Sequence, residues 1–169
     1  MGAKIAAAVG FIATILAANY VTTRYGMVPV GFGLMATAGT YLAGLAFILR
    51  DLVQDTAGRK VVVGLVIIGA ALSYAVSDPF IATASAVAFL LSESADFAIY
   101  TPLRKRGYIR AATASNLVGA VVDTIVFLTI AGFPLRQAFA GQVVGKMLVT
   151  GVVVLAVVGY RYTRRPVTA

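Results

Sequence analysis

The sequence predicts a compact all-α integral membrane bundle of six transmembrane helices with both termini cytoplasmic, and three features lead to it. Hydrophobic side chains make up 60% of the 169 residues and the mean hydropathy is +0.94, far beyond the range of a soluble globular domain. The apolar residues fall into six runs of membrane-spanning length, separated by short links rich in Gly, Pro or basic residues. The basic residues also alternate between the two sets of links. One side holds Lys4; Arg50, Arg59 and Lys60; Arg104, Lys105, Arg106 and Arg110; and Arg161, Arg164 and Arg165, whereas the other holds Arg24 and Arg136. That asymmetry places the first side in the cytoplasm and explains most of the net charge of +8 without invoking nucleic acid.

The expected spans are 5–23, 32–57, 61–77, 79–101, 111–131 and 138–160, and together they make residues 1–169 a single transmembrane domain. The first ends in a Gly26-Met27-Val28-Pro29 break. The second runs on through Arg50 and Asp51 until Gly58, a suitable C-terminal cap. Asp78-Pro79 makes the third link, with Asp78 capping the fourth helix and Pro79 in its first turn. Gly132-Phe133-Pro134 stops the fifth helix. A cleaved signal peptide is the weaker reading of the first run, because its removal would leave five spans and discard Asn19. A plasma (inner) membrane location follows, with lipid as the surrounding partner.

The chain has no cysteine and no histidine. Disulfides, thiol nucleophiles, haem ligation and most zinc or copper sites are therefore excluded. We expect no cofactor, no bound metal and no catalytic residue.

The polar residues inside the spans carry the functional signal, because a charged side chain near mid-bilayer costs roughly 2.5–3.5 kcal/mol even on lenient scales. Glu93, Asp96 and Tyr100 are spaced three and four apart and share one helical face. Asp123 and Lys146 lie at one depth, about 12 Å below the outer surface on consecutive antiparallel helices, and are expected to pair. An intramembrane staple explains that pair as well as ligand contact does. Asn116 is on the Asp123 face with Gly119 between, and Gln142 is one turn from Lys146. Asp51 is read as deep and Asp55 as interfacial, pairing with Arg50, Arg59 and Lys60. The substrate-binding candidates are Glu93, Asp96, Tyr100, Asn116, Asp123, Gln142, Lys146, Asn19 and Asp51, expected to line one polar chamber. Tyr41, Phe89, Phe97 and Phe127 are available as its aromatic walls.

Two motifs fail. Gly141-Gln-Val-Val-Gly145-Lys146-Met147 is one residue short of a phosphate-binding loop and has no hydroxyl after the lysine; Gly141 and Gly145 fit close helix packing better, within one chain or between two. Asp51 and Asp55 would suit a metal-dependent membrane transferase, but only Glu93-x-x-Asp96 offers a second acidic cluster.

Three stretches carry a family resemblance. They are Asp51 to Lys60, with an acid before a Gly-Arg-Lys turn; Glu93 to Arg106, beginning Glu-Ser-Ala-Asp-Phe-Ala-Ile-Tyr; and Ser115 to Phe127, Ser-Asn-x-x-Gly-x-x-x-Asp-Thr-x-x-Phe. In these the sequence resembles the VUT (vitamin uptake transporter) family, also called the queuosine-precursor transporter family. The resemblance implies uptake of deazaguanine bases on the route to queuosine in transfer RNA. Such a base offers a ring N–H beside an exocyclic amine to Glu93, Asp96 or Asp123, and a carbonyl with a nitrile or aminomethyl group to Asn116, Gln142 or Lys146. Gln54-Asp55-Thr56-Ala57 replaces the more usual Glu-Val-Tyr-like stretch and leaves queuine, another purine or a vitamin as alternative cargo. The alternative assembly is a substrate-binding membrane subunit that needs an ATP-driven partner module; a homo-oligomer is also open.

Overall fold

The computed structural model of the chain describes residues 2–106 and 108–163. Helix α1 (Gly2–Tyr25) is followed by two short strands, β1 (Met27–Pro29) and β2 (Met35–Thr37), and then by α2 (Thr40–Ala57), α3 (Arg59–Val76), α4 (Pro79–Leu103), a 3-10 turn (Arg104–Arg106), α5 (Tyr108–Ile130) and α6 (Leu135–Thr163). The tail residues Arg164 and Arg165 lie outside the described residues.

The second helix differs from expectation, since it begins at Thr40 and not at residue 32. Residues 27–37 instead fold into an antiparallel hairpin that pairs Met27 with Thr37 and Pro29 with Met35. The backbone explains why. Gly26, Gly31, Phe32 and Gly33 all have positive φ, which ends helical geometry and turns the chain twice. Phe32 sits at the tip with 83% exposure, while Ala36 and Thr37 are buried against the bundle. Thr40 Oγ1 donates to the Thr37 carbonyl at 2.6 Å, and Tyr41 Oη donates to the Val30 carbonyl at 2.5 Å, so the hairpin is tied to the start of α2. The other helix ends fall within three residues of the apolar runs, most of them outward, where the helices continue into their polar links; α3 and α5 stop one residue short.

The expected punctuation forms. Asp78 Oδ1 accepts from the Phe80 amide at 2.8 Å and caps α4, and Gly58, at φ 88°, donates its amide to the Gln54 carbonyl at 2.9 Å where α2 ends. Gly44 brings α2 against α6; a Cβ there would lie 3.0 Å from Lys146 Cα. Gly141 and Gly145 work within the chain, facing the Met35 carbonyl and the Thr40 side chain. Gly69 faces Ile15, and a Cβ on Gly64 would meet open space.

Two apolar clusters hold the bundle. One joins Phe11, Ile15, Val53, Val62 and Phe89 across α1 to α4; the other joins Ile81, Ala88, Phe127, Leu128 and Ala138 across α4 to α6. Among the described residues, α1 (from Lys4), α3 and α4 are long and apolar enough to cross a membrane, and Ala114–Ile130 of α5 forms a shorter apolar stretch. Helix α2 carries Arg50, Asp51 and Asp55. Large apolar side chains such as Val9, Ile67, Phe80 and Leu155 point outward, as lipid-facing surfaces require.

Candidate substrate chamber and inner vestibule

The polar residues do not line one chamber. They divide between two cavities stacked along the bundle, and the division follows from helical rise. Asn116 and Asp123 share a face, but seven residues separate them by about 10 Å along the axis, enough to place them in different cavities.

The first cavity takes in Asn19, Asp123, Gln142 and Lys146 and is narrow, about 50 Å³. Lys146 is 1% exposed, and its Nζ donates to Asp123 Oδ2 at 2.6 Å and to Thr124 Oγ1 at 3.0 Å. The pair anticipated from equal depth therefore forms. Gln142 Nε2 donates to Thr37 Oγ1 at 2.7 Å, which brings the hairpin into the wall, and Asn19 Nδ2 donates to Ser73 Oγ at 3.0 Å. Phe47, Phe89 and Phe127 supply the aromatic walls. A carboxylate, an ammonium and two amides thus converge on a largely apolar pocket, the usual form of a small-molecule site.

Below it lies a vestibule of about 320 Å³ that takes in Asp51, Glu93, Asp96, Tyr100 and Asn116. Its centre is Arg50, which sequence reasoning left among the interfacial basic residues. Arg50 is 5% exposed, and its Nη1 lies 2.9 Å from Glu93 Oε2, 3.2 Å from Asp51 Oδ1 and 3.9 Å from Asp96 Oδ2. Asp51 stands at the depth of Arg50, with its side chain 49% exposed toward the vestibule, and the neighbouring arginine is the buried member of the pair. The signal was present in the acid count, since buried carboxylates so close together demand a cation. Asp55 also borders the vestibule.

Phe47 separates the cavities, bordering the upper one and a small pocket that leads past Arg50 and Asn116 toward the lower one. Its ring centroid is 6.0 Å from that of Phe89, and the Arg50 guanidinium lies 6.0 Å from the Phe47 centroid. An aromatic layer and an ionic layer therefore stand one helical turn apart between the cavities. Of the other aromatic candidates, Tyr41 is outside both cavities and holds the hairpin, while Phe97 borders the vestibule with the Arg59 guanidinium 4.3 Å from its centroid. Thr22, Thr37, Thr40 and Ser85 add hydroxyls to the upper wall. Threonine and serine are too common in membrane helices to single out by sequence.

Residues 74–163, from the end of α3 through α6, match the family model described as "Putative vitamin uptake transporter". The chain belongs to the VUT family. The matched segment contains the Glu93-to-Arg106 and Ser115-to-Phe127 stretches, hence the acids of α4, the Asp123–Lys146 pair and Gln142; the Asp51-to-Lys60 stretch precedes it. Neither a curated relative nor a solved structure matches the chain. With the apolar helices, VUT membership makes this a membrane protein of a transporter family.

Proposed function

We propose that this VUT protein imports a queuosine precursor, a deazaguanine base, across the plasma membrane as a six-span bundle with both termini in the cytoplasm, and that it catalyses no reaction. The observation that carries this reading is the upper cavity, where Asp123, Lys146, Gln142 and Asn19 meet between Phe47, Phe89 and Phe127. The Asp123 carboxylate suits the ring N–H and exocyclic amine of a guanine-like base, and the amides of Gln142 and Asn19 suit its carbonyl. The phenylalanine rings suit its faces. The carboxylates that a metal-dependent transferase would array around a cation converge instead on the Arg50 guanidinium. The charge asymmetry of the links supports the orientation.

The test is a thermal-melt panel on the detergent-purified protein with deazaguanine bases, queuine, guanine and vitamins, followed by uptake into proteoliposomes that contain this chain alone. A ligand at ~100 times its dissociation constant stabilises by roughly 2.7 kcal/mol. A shift confined to deazaguanines, with uptake, supports the proposal. A shift with a vitamin alone overturns the cargo and leaves transport standing.

A further inference from the structure

Among the described residues, the vestibule holds buried polar atoms of both hydrogen-bonding senses that have no hydrogen-bond partner. Arg50 is 95% buried by the measure of its 5% exposure, and its Nε has no hydrogen-bond acceptor even though its Nη1 is ion-paired. Across the same cavity, Asp96 Oδ1 and Gln54 Oε1 are buried without a donor among the described residues, and Glu93 Oε2 is ion-paired to Arg50 Nη1 at 2.9 Å without a well-formed hydrogen bond. Unmatched buried polar atoms are costly and uncommon, and they concentrate where a ligand supplies the missing partner. Leaving aside the ion-paired Glu93 Oε2, one donor and two acceptors around a single cavity call for a ligand that both accepts and donates.

We propose that the vestibule is a second station for the transported base, in which Arg50 Nε donates to the ring carbonyl while Asp96 and Gln54 accept from the ring N–H and exocyclic amine. The proposal rests on the reading of the protein as a deazaguanine carrier. A guanidinium suits the carbonyl edge of a guanine-like ring, and a carboxylate suits its paired N–H donors. Tyr100 and Phe97 border the cavity and offer aromatic faces. The station is separate from the upper chamber, since Asp96 lies seven residues, or about 10 Å, along α4 from Phe89. A base moving between the two passes where the Phe47–Phe89 contact and the Arg50–Glu93 ion pair close the interior. Among the described residues, Asp51, Asp55, Glu93 and Asp96 border the station against Arg50, with Arg59 at its edge over Phe97, so the acids outnumber the cations and the station favours a base with a cationic aminomethyl group over its neutral nitrile counterpart.

Isothermal titration of the purified full chain with the aminomethyl-bearing deazaguanine base tests this. Two sites per chain are expected. Asp96→Asn, and independently Gln54→Leu, should weaken one of them about tenfold or more while the other persists. Gln142→Leu should weaken the other. Arg50→Gln strips Glu93 of its closest cation and can fail to fold, so Asp96→Asn and Gln54→Leu carry the test, each checked by its melting temperature. A single site per chain, weakened by Gln142→Leu and untouched by Asp96→Asn and Gln54→Leu, overturns the second station and leaves the carrier reading intact. No binding of any deazaguanine overturns both.

Discussion

Lys146 of α6 and Asp123 of α5 meet at 2.6 Å inside the bundle, and Thr124 gives the ammonium a second acceptor at 3.0 Å. Gly44 lets α2 lie against the Lys146 backbone from a third side. The pair thus sits where α2, α5 and α6 converge and borders the upper chamber at the same time. It is both a tie between helices and part of a candidate binding surface, and substitutions separate the two roles.

Either single substitution, Asp123→Asn or Lys146→Met, leaves one buried charge without its counter-ion, a loss of about 3–5 kcal/mol for a buried pair. The melting temperature in detergent should fall in both. The double substitution removes both charges, and most of the stability should return. Binding of the base should not return with it, because Asp123 and Lys146 are proposed to contact the ligand. Recovery of both in the double variant would assign the pair a purely structural role.

Gln142→Leu addresses the chamber with less strain on the fold. Thr37 Oγ1 loses the amide donor at 2.7 Å but keeps the Thr40 hydroxyl at 3.3 Å. The melt should therefore change little. The dissociation constant for the base should rise about tenfold or more, as expected for the loss of one buried hydrogen bond of roughly 1–3 kcal/mol. Unchanged affinity by titration would remove Gln142 from the site.

The helices and their punctuation were legible in the sequence because both are local. Asp78 needed only its neighbours to cap α4, and Gly58 only its φ to end α2. The Asp123–Lys146 pair was also legible, since equal depth on antiparallel neighbours is a matter of counting residues. Arg50 was not, because an arginine two turns from a basic link looks the same in sequence whether it extends to water or turns inward to Glu93. Nor was the division of the polar residues into two cavities. It depends on where Phe47 of α2 meets Phe89 of α4, a contact between helices that no spacing within either one fixes. The hairpin before α2 was lost for a related reason: residues 32–39 are apolar enough to prolong a span, and the positive φ of Phe32 overrides that pattern.

Gly141 tests how tightly that hairpin is held. A Cβ on Gly141 would collide with the Met35 carbonyl of β2, a backbone atom that cannot turn aside. Gly141→Ala should lower the melting temperature and weaken binding together, because β2 leads into Thr37 and the chamber wall. Gly64→Ala is the control, since a Cβ there meets open space and alanine is the better helix former by roughly 0.8–1.0 kcal/mol. It should be neutral or mildly stabilising. Equal melts for the two variants would mean that the hairpin does not pack on α6 as described.

The orientation can be read directly because the chain contains no cysteine, so any introduced thiol is unique. Phe32, at the hairpin tip, and Lys105, in the turn between α4 and α5, are both exposed and lie at opposite ends of the bundle. With cytoplasmic termini, Phe32→Cys faces outward and Lys105→Cys faces the cytoplasm. A membrane-impermeant maleimide added to intact cells should label the first at once and the second only after permeabilisation. The opposite pattern would invert the bundle and set aside the charge argument, since Lys105 belongs to the most basic link of the chain. Labelling of both from outside would mean that the two positions share one face of the membrane, and the six-span plan would fall.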